Sequence, residues 1–319
     1  MRALALIPLA LSLTALAQDA PQQPTTTLRT GTTIVLVPTS VQLKGQTLYT
    51  LKPEQFVVED NGVPQTIKLD EDTDRLGLSL VVAVQCSRAA VMEYAKLQGL
   101  ASLIEGLAGG APRQVAIVSY GSSATVLQDF TTDINKVAHA IASIQPCDDG
   151  GAATLDAVNT SNLLFEGQSN DYRRAILLIS ETRDHGSQTK PAELIAALGR
   201  TNTVVDAVTF SPEKTELLNN LKYGGGAGPL PLLFAAVAAL KKNAAHQLAN
   251  MTGGEYINFT TRQGFENGLH TLSNHLHNYY LLSFSANNAT PGLHQIRVTI
   301  PDYPNAKIRH RLNYWAAPR

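Results

Sequence analysis

A continuous apolar run at residues 76–84, LGLSLVVAV, places the strongest limit on how this chain folds. A strand of this composition is covered on both faces, because a solvated face would show alternating polar residues. Later segments alternate between further apolar strands and stretches whose apolar residues recur every three or four positions, which is typical of helices. This alternation indicates a mostly parallel sheet with helices on both faces. A short turn between residues 114–121 and 124–130 predicts one antiparallel edge strand. The predicted elements after the run are helix 88–107, strand 114–121, strand 124–130, helix 133–144, helix 152–165, strand 173–180, helix 191–202, strand 203–210, a helix ending near residue 250, strand 255–260 and helix 262–277.

The two ends of the chain have a different hydropathy pattern, in which apolar and polar residues alternate as in half-buried strands. Residues 32–75 contain several such stretches and the hairpin signal DNG at 60–62. Residues 278–319 contain YYLLSFSANN, GLHQIRVTIP and AKIRHRLNYW, each of which predicts one strand. Neither end is large enough to fold alone. We therefore expect the two ends to pair into one small β domain, with an α/β domain at residues 76–277 inserted between them.

The N-terminus predicts export. Residues 1–17 contain one arginine, a short apolar run and the pattern Ala15-Leu16-Ala17, which are the parts of a secretory signal peptide with cleavage near Ala17. Residues 18–31 are rich in Gln, Pro and Thr and indicate a linker. No later run has the ~20 apolar residues that span a bilayer, so we expect a periplasmic or extracellular protein without a membrane span. The formal net charge of −1 argues against nucleic acid as a partner.

Six motifs follow one another along the chain: LKPEQFVVEDNGVPQTI, VVAVQCSRAA, GGAATLDAV, AILLISETRDHGS, NMTGGEYINF and YYLLSFSANNATPGLHQIRVTI. In this order they resemble the von Willebrand factor A (VWA) domain, and more closely the VWFA-related domain family of exported acidobacterial proteins. The resemblance implies an α/β fold with a Rossmann-like, mostly parallel sheet, the VWA fold. It also implies a non-enzymatic module for protein binding or adhesion.

The resemblance further implies the position of a metal-ion-dependent adhesion site (MIDAS). The family pattern is Asp-x-Ser-x-Ser after the first strand, a Thr in a Gly-Gly-Thr turn, and an Asp in an Asp-Gly turn. Carried over residue by residue, the five positions are Gln85, Ser87, Ala89, Ala152 and Glu181. Only the first serine is kept. Mg²⁺ needs oxygen ligands, preferably anionic, in near-octahedral geometry, so we expect a degenerate site without metal, and no other cofactor. The alternative is a relocated site that uses Asp148, Asp149, Glu181 and Asp184.

The chain has two cysteines, Cys86 and Cys147. In an exported protein two cysteines are candidates for a disulfide. The resemblance implies that the loops carrying them meet around the metal position, where a disulfide would join them. The alternative is that Cys86 acts as a nucleophile at the start of a helix, although no motif supplies a base beside it.

We therefore expect an exported module that binds a protein partner of unknown identity. Open α/β sheets bind ligands at the carboxyl ends of their strands, so the expected binding face consists of the five MIDAS positions together with Arg88, Arg183 and Asp184. Two alternatives remain. One is a structural subunit of an envelope or secreted assembly, and the other is an enzyme that uses Cys86 or acidic loop residues.

Overall fold

The structure is a computed structural model that describes residues 34–70, 77–97, 99–107, 112–168, 172–210, 229–277, 279–286 and 289–316. The predicted signal peptide and linker lie outside these residues. The strands are β1 (Ile34–Leu43), β2 (Gln46–Thr47), β3 (Val57–Asp60), β4 (Val63–Pro64), β5 (Ile67–Asp70), β6 (Gly77–Gln85), β7 (Arg113–Tyr120), β8 (Ala124–Thr131), β9 (Tyr172–Ser180), β10 (Val204–Phe210), β11 (Tyr256–Phe259), β12 (Tyr280–Ser285), β13 (Gly292–Thr299), β14 (Lys307–His310) and β15 (Asn313–Ala316). The helices are α1 (Leu100–Leu107), α2 (Ile134–Ala142), α3 (Thr154–Leu163), α4 (Pro191–Thr201), α5 (Pro229–Lys242), α6 (Ala244–Thr252) and α7 (Arg262–His277), with 3₁₀ helices at Pro53–Gln55 and Arg88–Leu97.

The central sheet has six strands in the order β11-β10-β9-β6-β7-β8. Neighbouring strands are parallel except β7 and β8, which form the expected antiparallel edge. Every residue of β6 is buried, as its apolar run predicts. Alternate side chains of β6 enter two cores: Val81 and Ala83 pack with α3 to α6, whereas Leu80 and Val82 pack with α1, α2 and α7. Helices therefore cover both faces, and the predicted VWA-like α/β fold is confirmed.

The two ends of the chain build the other sheets together. A five-stranded sheet has the order β14-β1-β12-β5 with β2 on β1, and a four-stranded sheet has the order β15-β13-β3-β4. The N-terminal strand β1 lies between two C-terminal strands, β12 and β14, and β3 pairs with β13. Both sheets share one apolar core that includes Val37, Phe56, Leu282 and Ile296. The expected pairing of the terminal segments is confirmed, and Thr32–Arg319 forms one compact unit.

Two helices differ from the sequence expectation. The helix expected over 88–107 is divided at Gly99, whose left-handed φ of +83° interrupts the helical backbone. The helix expected to end near residue 250 is α5 followed by α6. The two are separated at Asn243, whose Oδ1 accepts a hydrogen bond from the backbone N–H of His246 and caps α6.

The last predicted strand, residues 306–315, is two strands that belong to different sheets. The chain passes from β14 to β15 at Arg311, which is 2 % exposed. Its guanidinium donates hydrogen bonds to the backbone carbonyls of Leu36, Leu198 and Asn313 and to Oδ1 of Asn202. A buried cation needs such acceptors, and they tie the end of α4 to the terminal strands.

Candidate functional site

Strands β6 and β9 end side by side at the carboxyl edge of the central sheet, at Gln85 and Ser180. Three segments meet there, which we name the first loop (residues 86–90), the second loop (143–153, before α3) and the third loop (181–190, after β9). The five positions carried over from the family lie on these loops or at the end of β6.

Gln85 is 1 % exposed, and its side-chain amide joins the end of β6 to the third loop. Its Oε1 accepts a hydrogen bond from the backbone N–H of Glu181 at 2.8 Å. Its Nε2 donates to Oγ of Ser87 at 2.7 Å, and Ser87 is equally buried. A backbone N–H can only donate, so the Glu181 contact fixes which end of the amide carries the oxygen. The backbone carbonyl of Gln85 accepts from the hydroxyl of Tyr94 at 3.1 Å.

A disulfide between Cys86 and Cys147 joins the first loop to the second, with the two Cα atoms 5.2 Å apart. Two backbone hydrogen bonds lie beside it. The N–H of Cys147 donates to the carbonyl of Cys86 at 2.8 Å, and the N–H of Arg88 donates to the carbonyl of Asp149 at 2.9 Å. The disulfide implied by the family resemblance is therefore confirmed. The thiol that a nucleophilic Cys86 would need is consumed in this bond.

The second and third loops are joined at Ala152 and His185. Their backbone N–H and C=O groups bond in both directions, at 3.0 and 2.7 Å, and Ala152 is 1 % exposed. Asp184 accepts from the backbone N–H of Leu155 at 3.0 Å and from the hydroxyl of Ser187 at 2.5 Å. The first turn of a helix has unpaired N–H groups and a partial positive charge. The Asp184 carboxylate therefore holds the third loop against the start of α3.

Two further carboxylates are engaged elsewhere in the loops. Asp149 accepts from the hydroxyl and the backbone N–H of Ser122, both at 2.5 Å, and from the backbone N–H of Gly151 at 2.8 Å. The Ser122 hydroxyl, followed by the two backbone N–H groups, lowers the pKa of Asp149 to about 2. Glu181 faces His185, with Oε1 and Nε2 3.0 Å apart.

We name the exposed side chains on the three loops the rim. Arg88 and Asp148 form an ion pair at 2.7 Å, with their side chains 70 % and 88 % exposed. Ala89 and Arg183 are exposed as well. Of the three charged residues of the expected binding face, Arg88 and Arg183 are therefore exposed, whereas Asp184 is half-buried.

The residues at the family's metal position do not fit a divalent cation. A hard cation needs oxygen lone pairs from carboxylates and hydroxyls, whereas the amide N–H of Gln85 is directed at Oγ of Ser87. Ala89 and Ala152 have no side-chain ligand atom. Across the described residues, no group of three or more His, Cys, Asp or Glu side chains is placed to hold a metal ion. The four acidic residues of the relocated-site hypothesis each contact different partners and form no such group.

Sequence reasoning missed Ser122, Tyr94 and His185, which complete the network. The available signal was the turn GSS at 121–123, which follows the parallel strand β7. Turns after parallel strands lie at the same edge of the sheet, so this turn belongs beside the loops after β6 and β9. No spacing in the sequence links it to Asp149.

Residues 85–183 match the family model of the von Willebrand factor type A domain. This part of the chain is therefore similar to a domain type that commonly mediates protein interactions. No curated protein matches the chain significantly.

Several solved structures are similar to the chain. BatB from Bacteroides thetaiotaomicron is 16% identical with a TM-score of 0.42, over 62% of this chain and 100% of that one. An aerotolerance-related membrane protein from Bacteroides fragilis is 17% identical with a TM-score of 0.42, over 62% and 99% of the two chains. Proximal thread matrix protein 1 from the mussel byssus, with a zinc-occupied MIDAS motif, is 12% identical with a TM-score of 0.46, over 67% and 49%. These likenesses are too distant to indicate a shared function.

Proposed function

We propose that the chain is an exported, non-enzymatic protein-binding module whose partner contacts the three loops at the carboxyl edge of the sheet. The observation that carries the proposal is that these loops are joined pairwise by the Gln85 amide, the Cys86–Cys147 disulfide and the bridge between Ala152 and His185. A surface that is already ordered loses less conformational entropy on binding.

The rim chemistry supports a partner with charged and hydrogen-bonding groups. Arg183 is exposed, and the side chains of Asp148 and His185 are 88 % and 54 % exposed. Exposed charges at the edge of an interface select partners and steer their approach more than they add affinity. We therefore expect charge reversal at Arg183 to weaken binding measurably without disturbing the fold.

Export is supported by the signal-peptide pattern and by the disulfide, since disulfides persist mainly in oxidising compartments. The resemblance of the ordered motifs to the VWFA-related family of exported acidobacterial proteins also supports export. Among the described residues, no helix is long and apolar enough to cross a membrane.

The test is capture of a partner by the purified full chain from the periplasmic and extracellular fractions of the source cells. Arg183→Glu should slow association and reduce capture several-fold, most strongly at low salt, since reversing a rim charge mainly changes the association rate. The matched control is Lys307→Glu, an equal charge reversal at an exposed position of β14. Equal capture by wild type and Arg183→Glu, or loss of capture in Lys307→Glu, would contradict a binding face on the three loops.

A further inference from the structure

The position that the family resemblance assigns to a cation contains a neutral amide with two directed hydrogen bonds. Gln85 stands where the family has its first aspartate, and it is 1 % exposed. Its oxygen accepts from the backbone N–H of Glu181, and its nitrogen donates to Oγ of Ser87. One side chain therefore contacts two of the other family positions, one on the first loop and one on the third.

The polarity of this arrangement is opposite to that of a metal site. A bound cation takes electron pairs from surrounding oxygens, so its ligands turn their lone pairs toward one point. Here an amide N–H, the positive end of a dipole, is directed at Oγ of Ser87, the one hydroxyl that is kept. A divalent ion at this point would displace that hydrogen bond and would meet the amide hydrogens instead of a carboxylate.

We propose that the Gln85 amide replaces the cation as the group that joins the first and third loops, so that the loops hold their arrangement with no divalent ion. The disulfide and the two backbone bonds beside it join the first loop to the second. The bridge between Ala152 and His185, together with the Asp184 carboxylate, joins the second loop to the third. This role of Gln85 is independent of which partner the loops bind, and it can be tested without one.

The first measurement is thermal unfolding of the full, chelator-treated chain with and without Mg²⁺ or Mn²⁺ at millimolar concentration. A ligand that binds only the folded state and is present at a concentration 100 times its Kd raises stability enough to shift Tm by several degrees. We expect a shift of less than about 1 °C with either ion. A shift of several degrees that a chelator reverses would overturn the proposal.

The second measurement is hydrogen exchange in the third loop, read by mass spectrometry on a peptide that includes Glu181. Gln85→Met has a similar length but no acceptor, so the Glu181 amide should exchange on the order of tenfold faster. Gln85→Glu keeps a side-chain oxygen for the same N–H and should stay within about threefold of wild type.

Gln128→Met is the matched control, because the Gln128 amide donates to the carbonyl of its neighbour Asp129 and not across the loops. Unchanged exchange in Gln85→Met would show that the amide does not join the loops. Equal acceleration in Gln85→Glu and Gln85→Met would show the same. If Gln85→Met fails to fold, Gln85→Glu still tests the proposal, because exchange at Glu181 more than about threefold faster than wild type would contradict it.

Discussion

Asp149 shows how single side chains order the loops through hydrogen bonds to backbone N–H groups. The hydroxyl of Ser122 is the largest cause of its low pKa of about 2, followed by the N–H groups of Gly151 and Ser122. A carboxylate whose pKa is depressed in the folded state stabilises the protein at pH values above its ordinary pKa of 3.8. This contribution is lost as the pH falls toward the folded pKa. We predict that Ser122→Ala raises the Asp149 pKa partway toward 3.8, because two backbone donors remain.

Carbon NMR of the aspartate carboxyl groups during an acid titration measures this shift. Thr125→Ala removes a hydroxyl from the neighbouring strand β8 and is the control. An Asp149 that titrates near 3.8 in the wild-type protein would mean that the hydrogen bonds from Ser122 and Gly151 do not form in solution.

The disulfide carries a second prediction at this scale. Cys86 and Cys147 are separated by 61 positions, and closing a loop of that length stabilises a fold by about 4 kcal/mol in the chain-entropy model. The double variant Cys86→Ser/Cys147→Ser should lose about this much free energy of unfolding in urea. Wild-type protein treated with a reductant should lose a similar amount. An unfolding midpoint of the double variant equal to that of oxidised wild type would refute the expectation.

Single residues at the site could be predicted unevenly. The placement of Gln85 and of the two cysteines at the site follows from aligning the chain with the family pattern, because these residues lie in or beside its motifs. The role of Gln85 could not be predicted, since a glutamine in place of a metal ligand is equally consistent with a decayed site. Ser122 and His185 have roles only because turns after separate strands meet at one edge, which is a property of the fold.

At the scale of elements, α4 packs so closely on β15 that a glycine is required between them. A Cβ added at Gly199 would lie 2.9 Å from both Cβ and N of Trp315. We predict that Gly199→Ala destabilises the protein by about 1–3 kcal/mol, because overpacking forces backbone shifts. The expected sign is the reverse of the usual one, since alanine normally stabilises a helix relative to glycine.

Gly106 in α1 is the matched control, because a Cβ there would meet nothing within 4 Å. Gly106→Ala should stabilise by about 0.5–1 kcal/mol. Urea unfolding of the two variants gives both signs in one experiment. A stabilising Gly199→Ala would mean that α4 and β15 are not in contact as described.

A buried ion pair holds strands β3, β13 and β15 together. Nδ1 of His294 is 2.7 Å from Oδ1 of Asp60, and Nε2 is 2.7 Å from the carbonyl oxygen of Thr290. Tyr314 donates its hydroxyl to the other oxygen of Asp60 at 2.6 Å. Nδ2 of Asn61 also lies 3.1 Å from Nδ1, but each ring nitrogen has an acceptor at 2.7 Å, which favours the doubly protonated imidazolium. Burial lowers the pKa of His294, but the hydrogen bonds to Asp60 and Thr290 and the Asp60 charge outweigh it, so the pKa is raised above 6.5.

The sign of the pH dependence follows from this raised pKa. The contribution of His294 to stability is fully present below its unfolded pKa of about 6.5 and is lost as pH rises through the folded pKa. Burial lowers the pKa of His310, so that residue acts in the opposite direction. The difference between wild type and His294→Gln cancels the His310 effect. We predict that this difference in the free energy of unfolding decreases as pH is raised above neutrality, and a constant difference would contradict a charged His294.

Most elements could be predicted, because buried strands and amphipathic helices have clear periodicities. The division of residues 88–107 depends on Gly99, and an isolated glycine in a helical pattern is normally tolerated. The sequence of residues 306–315 gives no sign of their division into two strands. The alternation continues without a break through Arg311, and only the burial of its guanidinium among carbonyls of other elements marks the change of sheet.

At the scale of the whole molecule, the two ends of the chain are interleaved so closely that neither end forms a sheet alone. The N-terminal strand β1 lies between β12 and β14, and Arg311 connects it to the end of α4. The pairing of the ends could be predicted from their size and alternation. The contact surface with the α/β part could not, because it includes a buried cation, Arg311, and a glycine, Gly199, that are far apart in the sequence.

The last prediction concerns how the terminal sheets and the α/β part unfold. Trp315 is the single tryptophan of the chain and packs against Gly199 of α4, so its fluorescence reports on the contact between the two parts. Far-UV circular dichroism reports mainly on the helices.

Because Arg311 donates to Leu36, Leu198 and Asn202, we predict that the two signals change together in one transition. Arg311→Met removes the donor that these three acceptors share and should lower the free energy of unfolding by about 2–5 kcal/mol. Arg297→Met is the control, since Arg297 is 71 % exposed in a 4.0 Å ion pair with Glu59 and should change stability by no more than about 0.5 kcal/mol. Wild-type fluorescence that changes well before the circular dichroism would show that the terminal sheets separate first, and that Arg311 does not couple them to the rest of the molecule.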